Sequence, residues 1–388
     1  MQTDIYHKLA QHLDNLPAGY PATESGVEIR ILQQLFTPEE ARLSLHLTLI
    51  AENARVLARR ARMTVDDTKT LLEQMEKKGL LFVVHQEGEE PLYQAAGFVI
   101  GIYEFQLNKL DANLAKDFEE YSSSWFNLEH WKKTPQLRTI PVGIRIDVER
   151  EILPYEKAEE IIRSVKKIAV APCICRQEKQ LLGEGCDKPS EVCLVFEKAA
   201  EYYIHNGLAR EIDIQETLEI IELANDSGLV LQPGNSAKPM SICACCGCCC
   251  GVLLNIKRHP KPASIVSTPF IAELDSEACN GCGVCETRCQ MGAIDLGNGF
   301  AALDSDRCIG CGLCISTCPT GALRLKRKPK PEQPYVPKNP VDAHIRLGRA
   351  RGKMKNSEII GMVVKSKFDR LLALKSNKHH SQDGSPEH

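Results

Sequence analysis

The segment Ala278–Leu323 reads ACNGCGVCETRCQMGAIDLGNGFAALDSDRCIGCGLCISTCPTGAL, and its cysteines decide how the rest of the chain is interpreted. The pattern C-x2-C-x2-C-x3-C occurs twice in succession. The first run contains Cys279, Cys282, Cys285 and Cys289, and the second contains Cys308, Cys311, Cys314 and Cys318. Each cysteine of the first run lies 29 positions before its counterpart in the second. The segment is therefore an internal duplication.

The spacing within each run has a chemical reason. Three closely spaced thiolates on a tight turn can each reach one iron of a cubane, whereas the fourth iron needs a ligand from elsewhere. In this arrangement the fourth cysteine of each run serves the cluster of the other run. We therefore predict two [4Fe–4S] clusters, one held by Cys279, Cys282, Cys285 and Cys318, and the other by Cys308, Cys311, Cys314 and Cys289. Structural zinc sites also use paired cysteines, but an evenly spaced triplet with a distant fourth cysteine fits zinc poorly.

The segment resembles a bacterial two-cluster [4Fe–4S] ferredoxin. The resemblance is carried by both cysteine runs, by the glycines between the ligands, and by the short returns that follow each run; these are Gly281, Gly283, Gly310 and Gly312, with Gly292–Ile294 and Gly321–Leu323. It implies electron transfer at a low reduction potential. One position departs from the family, because Gln290 follows Cys289 where proline is usual, as Pro319 is in the second run. The departure affects the loop shape and removes no ligand.

Length and composition place further limits on the interpretation. A chain of 388 residues predicts two or three domains, and its net charge of −3 indicates no polyanionic partner. Ten of the 18 cysteines lie outside the duplication, all between Cys173 and Cys250. The amino terminus lacks the apolar core of a signal peptide, and the chain has no apolar run of about 18 residues. We expect a cytoplasmic protein of anaerobic metabolism, since oxygen damages exposed iron–sulfur centres.

The predicted fold class is α+β, in several domains. The expected domains are a winged-helix-like domain (1–100), a helical connector (101–165), a cysteine-rich α/β domain (166–262), a two-cluster ferredoxin-type domain (263–326), and a proline-rich linker with a basic amphipathic tail (327–388).

The amino-terminal region resembles a winged helix-turn-helix domain. Capping residues begin helices at Thr37 and Thr64, a further helix is predicted over 51–62, and Gly79 ends the last of the three. The strand-like runs 80–84 and 91–99 would form the wing. Arg55, Arg59 and Arg62 share one helix face that could contact a nucleic-acid backbone.

The charge of this region disfavours DNA as a partner. Residues 1–100 carry 10 Lys and Arg against 14 Asp and Glu, a balance of −4. The acids Asp66 and Asp67 begin the recognition helix, and Glu87, Glu89 and Glu90 lie at the tip of the wing. Phosphate contacts supply much of the affinity in such domains. We therefore favour a protein-docking or homodimerising role over DNA binding.

The middle of the chain carries a second set of cysteines. A predicted strand over 168–171 leads to Cys173 and Cys175, and the following loop carries Cys186 and Cys193. Helices over 195–206 and 214–227 and a strand over 228–231 precede a dense group, made of Cys243, Cys245, Cys246, Cys248, Cys249 and Cys250. We predict a further [4Fe–4S] cluster held by Cys173, Cys175, Cys186 and Cys193, or by a mixture with the later group. A structural zinc site and a thiol–disulfide relay are the alternatives.

The carboxy-terminal tail is basic. From Lys326 onward it contains 15 Lys and Arg against 6 Asp and Glu, an excess of +9. A helix is predicted over Ser357–Lys375, with its apolar residues along one side: Ile360, Val363, Val364, Phe368, Leu371 and Leu372. Such a helix can lie on an anionic membrane surface, dock into a partner's groove, or pack on its own protein.

These observations predict an iron–sulfur protein that carries electrons between partner redox proteins, an electron carrier or oxidoreductase subunit rather than a self-contained enzyme. No glycine-rich nucleotide fingerprint follows a predicted strand. A redox-sensing, DNA-binding regulator that uses the winged helix is the alternative. A third interpretation places substrate chemistry at the middle cysteines.

Overall fold

The structure is a computed structural model of the chain and describes residues 2–126, 128–142 and 153–380. Residues 143–152 of the predicted connector and 381–388 of the predicted tail lie outside the described residues. Helices and short antiparallel sheets alternate along the chain, which confirms the mixed helix and strand content. Two compact units are present. The first combines residues up to Gln106 with the chain from Arg351 onward, and the second is Leu107–Ala350.

The first unit begins with five helices and a two-stranded antiparallel hairpin. The helices are α1 (Gln2–Asp14), α2 (Val27–Leu35), α3 (Pro38–Ser44), α4 (Ala54–Ala61) and α5 (Val65–Lys78), and the hairpin strands are β1 (Phe82–Val84) and β2 (Leu92–Gln94). The order of α3, α4, α5 and the hairpin is the predicted order. Membership of the winged-helix class stays a prediction.

The helix ends in this unit are formed by the predicted capping residues. Thr37 and Glu40 form a reciprocal capping box at the start of α3. The Thr64 side chain accepts a hydrogen bond from the Asp67 backbone at the start of α5, and Gly79 ends that helix in the left-handed conformation. Each cap satisfies backbone groups that a helix end leaves without a partner.

The second unit contains the cysteine-rich region that precedes the duplication. Its helices are α6 (Ala112–Trp125), α7 (Leu128–Lys133), α8 (Ala158–Arg163), α9 (Ile174–Leu181), α10 (Glu197–His205), α11 (Ile214–Asp226) and α12 (Gly251–Arg258). Its strands are β3 (Ile168–Pro172), β4 (Glu191–Phe196), β5 (Arg210–Glu211), β6 (Val230–Pro233) and β7 (Ser241–Cys245). They form one antiparallel sheet in the order β5-β3-β4-β7-β6.

Three strands of this sheet were not among the predicted elements. The sequence predicts β3, β6, α10 and α11, and the structure confirms them, whereas β4, β5 and β7 are additional. Cys193 consequently lies on a strand rather than in a loop, with Cys243 of β7 as its register partner. Strands β4 and β7 are short runs in which cysteine replaces larger apolar residues. They therefore lack the alternation of apolar and polar residues that would identify a strand.

The duplicated cysteine segment forms two small antiparallel sheets. Its elements are β8 (Phe270–Leu274), α13 (Val284–Arg288), β9 (Ile294–Asp295), β10 (Ala302–Leu303) and β11 (Leu323–Arg327). Strand β8 pairs with β11, and β9 pairs with β10. The pairing of the first strand with the last brings the two ends of the segment together. The chain then continues through the proline-rich stretch to α14 (Pro340–Ala350).

A single hydrophobic core joins the five-stranded sheet to this segment. It contains Val170 and Leu194 of the sheet together with Met291, Ile309 and Leu313 of the duplication. Each of these side chains is almost fully buried. Burial of one such side chain contributes roughly 1.5–3 kcal/mol. The core therefore fixes the second half of the duplication against the cysteine-rich sheet.

The chain returns to the first unit as α15 (Asn356–His380), which confirms the predicted tail helix. Its inward face includes Asp369, whose carboxylate accepts from Arg59 at 2.9 Å and from Arg60 at 2.7 Å. Ser366 donates to the buried Glu52 at 2.7 Å. Of the arginines predicted to share a nucleic-acid face, Arg59 is thus engaged by Asp369, and Arg55 pairs with Glu90 at 3.4 Å. In the described part of the chain, none of the helices has the length and apolar character needed to span a bilayer.

Candidate metal centres

The structure brings the eight duplicated cysteines together as two crosswise sets. The outer site consists of Cys279, Cys282 and Cys285 of the first run with Cys318 of the second, and these four line one cavity. The inner site consists of Cys308, Cys311 and Cys314 with Cys289, which line a second cavity. Each set is the one predicted from the spacing.

The loops that carry the first thiols of each run need glycine. Gly281 has a φ of +70° and Gly310 a φ of +64°, both in the left-handed region. A Cβ at Gly281 would overlap the carbonyl oxygen of Gly299, and one at Gly310 would overlap that of Phe270. The backbone is thus packed closely around both sites, which only glycine permits here.

Backbone N–H groups point at several of the sulfurs. The Ala293 N–H donates to the Cys289 sulfur at 3.1 Å, and the Ala272 N–H donates to Cys308 at 3.4 Å. At Cys318, burial acts to raise the pKa, but N–H groups that include that of Leu323 lower the pKa below the usual thiol value. Hydrogen bonds of this kind stabilise negative charge on sulfur and are one of the factors that set the potential of a cluster.

The two sites differ in exposure. Cys282 of the outer site is exposed. In the inner site, burial raises the pKa of Cys311 to about 12, and burial together with the charge of Cys311 raises the pKa of Cys314. Thiolates in such surroundings need a compensating positive charge, which a bound metal supplies.

The arrangement of the sulfurs fits a cluster rather than single ions. Among the described residues, no three of these eight cysteines have sulfurs that all lie within 4.8 Å of one another. Each site is a ring of four thiols with apolar walls, contributed for example by Leu296 in the outer site and Leu313 in the inner one. Four separated thiolates, one for each iron, and a dry surrounding are what a [4Fe–4S] cluster requires.

Residues 272–325 match the family model of a 4Fe-4S dicluster domain. The match begins in β8 and ends in β11, and Ala272 and Leu325 are register partners in that strand pair. The matched range is therefore a closed structural module, which we call the dicluster domain. Iron–sulfur binding of the 4Fe–4S type follows from this match. No curated protein and no solved structure shows a significant match to the chain.

The ten middle cysteines divide into two groups. The four-thiol group consists of Cys186, Cys246, Cys248 and Cys249, whose sulfurs all lie within 4.8 Å of one another. The six-thiol group consists of Cys173, Cys175, Cys193, Cys243, Cys245 and Cys250, which neighbour one another in a connected series. Of the four cysteines predicted to act together, three lie in the six-thiol group, whereas Cys186 lies in the other.

The six-thiol group lies between β4, β7 and the start of α9; two of its cysteines are buried and the other four are half-buried. The Cys193 and Cys243 sulfurs are 4.0 Å apart on adjacent strands. The hydrogen bond to Cys193, together with burial, raises the pKa of Cys243 well above the usual thiol value. The Cys243 thiol is therefore protonated at neutral pH unless a cation binds beside it.

Arg176 lies beside both groups and was not predicted from the sequence. Its side chain is 1% exposed, and its Nη2 donates to the Ala244 carbonyl at 2.9 Å. Its Nε and Nη1 have no hydrogen-bond partner among the described residues. Burial acts to raise the pKa of Cys246, but the Arg176 guanidinium and hydrogen bonds from Cys248 and Cys249 together outweigh burial and lower that pKa to about 7. A buried, incompletely paired cation next to thiols indicates a site that carries negative charge when loaded.

The dicluster domain and the four-thiol group are in direct contact. The Gln290 side-chain oxygen accepts a hydrogen bond from the Gly247 N–H at 2.7 Å. Gly247 lies between the cysteines of the four-thiol group, and Gln290 follows the inner-site cysteine Cys289. Gln290 is also the position at which the ferredoxin pattern departs from proline. The departure thus coincides with a specific contact to the neighbouring site.

Proposed function

We propose that the protein transfers single electrons between partner redox proteins through two [4Fe–4S] clusters, bound at the outer and inner sites. The observation that carries the proposal is the crosswise composition of each cavity, with three cysteines from one run and the fourth from the other. The dicluster-domain match over residues 272–325 supports it. When bound, each cluster supplies a one-electron couple in a low-dielectric pocket.

The outer and inner sites differ in their surroundings, and this difference suggests a direction for electron transfer. The outer site reaches the surface at Cys282, where a soluble redox partner can approach. The inner site shares its wall residues Ile309 and Leu313 with the core that also packs the middle cysteines. We therefore assign the exchange with a partner to the outer site and the continuation into the protein to the inner site.

A further [4Fe–4S] cluster at the six-thiol group extends the proposal. Six neighbouring thiols exceed the four that one cluster needs, and Arg176 places a positive charge beside them. The contact between Gln290 and Gly247 connects the inner site to the loop that carries Cys245 and Cys250. In this proposal, an electron that leaves the inner site is transferred next to the cluster at the middle cysteines.

The location that we propose is the cytoplasm, with peripheral attachment to a membrane through α15. The helix turns its apolar residues outward: Phe368 and Leu371 are each 59% exposed. Lys365 and Lys367 are exposed beside them. An apolar face flanked by lysines suits the interface of an anionic membrane.

Anaerobic purification of the full chain, with analysis of iron and inorganic sulfide and EPR of the reduced protein, tests the electron-transfer proposal. We expect iron and sulfide in equal amounts and signals from reduced [4Fe–4S] clusters. Protein variants with Cys282→Ser and with Cys311→Ser should each lose one cluster and keep the other. A preparation without inorganic sulfide would overturn the proposal.

A further inference from the structure

The sulfurs of the four-thiol group are closely packed. The Cys249 sulfur lies 3.5 Å from that of Cys186 and 3.8 Å from that of Cys248. Cys186 and Cys246 are 3.9 Å apart, and all four sulfurs are within 4.8 Å of one another. The packing is tighter than that at the outer and inner sites, where no three sulfurs of the described residues meet this criterion.

These separations have the size expected around one tetrahedral ion. A zinc–sulfur bond of about 2.3 Å in tetrahedral geometry places the sulfurs roughly 3.8 Å from one another. A cubane binds each thiolate at a different iron, so its thiolate sulfurs lie further apart. The sulfurs of the dicluster domain have this wider separation. The two kinds of site can therefore be compared within the same chain.

The four cysteines come from two segments that are far apart in sequence. Cys246, Cys248 and Cys249 lie in the turn between β7 and α12, and Cys186 lies in the loop that follows α9, 60 residues before Cys246. A shared ion would therefore close a long loop and fix the turn. The same turn carries Gly247, which contacts the dicluster domain, and it is flanked by Cys245 and Cys250 of the six-thiol group.

We propose that Cys186, Cys246, Cys248 and Cys249 bind a single zinc ion as a closed, four-coordinate structural site. A set of four cysteines leaves no position for a substrate, which is the pattern of structural rather than catalytic zinc. Four thiolates and one zinc ion have a net charge of −2. The buried guanidinium of Arg176, which is close to Cys186 and Cys246, offsets part of this charge. The site holds the turn on which the electron-carrying centres depend.

Metal analysis of paired variants tests the assignment. We expect one zinc ion per chain in addition to cluster iron in the full-length, anaerobically purified protein. Cys248 is exposed, so Cys248→Ser opens no cavity in the core. This variant should lose the zinc and keep its iron and sulfide, whereas the control Cys282→Ser should lose the iron and sulfide of one cluster and keep the zinc. If Cys248→Ser lowered iron and sulfide instead, the four-thiol group would be a cluster site and the inference would be overturned.

X-ray absorption at the zinc edge of the unsubstituted protein is a second test, and it needs no variant to fold. The expected result is a shell of four sulfurs at about 2.3 Å. A shell with oxygen or nitrogen ligands, or a protein without zinc, would contradict the proposal. The outcome is separable from that of the proposed function, because a preparation with zinc but without sulfide would overturn electron transfer and leave the zinc site standing.

Discussion

The side-chain oxygen of Gln290 accepts a hydrogen bond of 2.7 Å from the backbone N–H of Gly247. This bond joins the loop after the inner-site cysteine Cys289 to the turn that carries the four-thiol group. Proline at position 290 could not make it, since proline has no side-chain acceptor. A residue that departs from the ferredoxin pattern thus has a structural purpose in this chain.

Replacing Gln290 should loosen this junction. Gln290→Ala leaves the half-buried Gly247 N–H without an acceptor, so we expect the free energy of unfolding to fall by about 1–3 kcal/mol. Anaerobic denaturant unfolding measures the change. The control is Gln290→Glu, which keeps a side-chain oxygen and should retain most of the stability. Equal losses in both variants would show that the hydrogen bond is not the stabilising contact.

The crosswise assignment of the fourth ligands can be tested by comparing three variants. Cys318→Ser should remove the cluster of the outer site, although Cys318 lies in the second run. Its remaining EPR signal and potential should therefore match those of Cys282→Ser, a first-run variant, and differ from those of Cys311→Ser. A spectrum like that of Cys311→Ser would mean that each run binds its own cluster without exchange of ligands.

Gly281 is expected to tolerate no side chain. Its φ of +70° and the nearby Gly299 carbonyl both oppose a Cβ, so Gly281→Ala should cost about 1–3 kcal/mol and lower the occupancy of the outer cluster. Thermal unfolding and iron analysis are the measurements. Gly297→Ala is the matched control, because nothing lies within 4 Å of a Cβ there. A stable, iron-replete Gly281→Ala variant would show that the loop can move aside.

Arg176 should be required for its charge. Arg176→Met leaves the buried thiolates of the middle groups without their neighbouring cation, and we expect a loss of about 3–5 kcal/mol in the free energy of unfolding. The reduction potential of any cluster at the six-thiol group should fall, because the added electron loses a favourable charge. Potentiometric titration and denaturant unfolding measure both effects. Arg176→Lys keeps the charge and should restore part of each, whereas a potential unchanged in Arg176→Met would contradict the role.

The extent to which the sequence predicts these sites depends on how local each feature is. The caps at Thr37 and Thr64 and the two cysteine runs are patterns within a few residues, and chain spacing alone specifies them. The separation of Cys186 from Cys173 and Cys175 depends on how two distant loops meet across the sheet. The spacing of cysteines along the chain cannot predict which distant loops lie in contact. The strands β4 and β7, which bring the loops together, also lack a distinctive period.

The tail helix shows a second limit of the same kind. Helical periodicity correctly predicts that Phe368 and Leu371 share a face with other apolar residues, but it cannot show which face is buried. In the structure the buried face contains Ser366 and Asp369, because the buried Glu52 and Arg60 require polar partners. Ion pairing with α4 thus overrides the apolar pattern and leaves the apolar side chains at the surface.

This exposed face leads to the final prediction, which concerns membrane attachment. Vesicles that contain anionic lipid should retain the full-length protein at low salt, and neutral vesicles should not, because the lysines beside Phe368 supply the attraction. Phe368→Glu removes an exposed apolar group and adds a negative charge, so it should weaken vesicle binding about tenfold or more. Its unfolding transition should stay unchanged, since the side chain is 59% exposed. Co-sedimentation measures the binding.

Lys330→Gln is the control, because it changes one charge of the basic tail outside α15 and should bind nearly as the unsubstituted protein does. If Phe368→Glu bound as well as the unsubstituted protein, the apolar face of α15 would have no part in attachment.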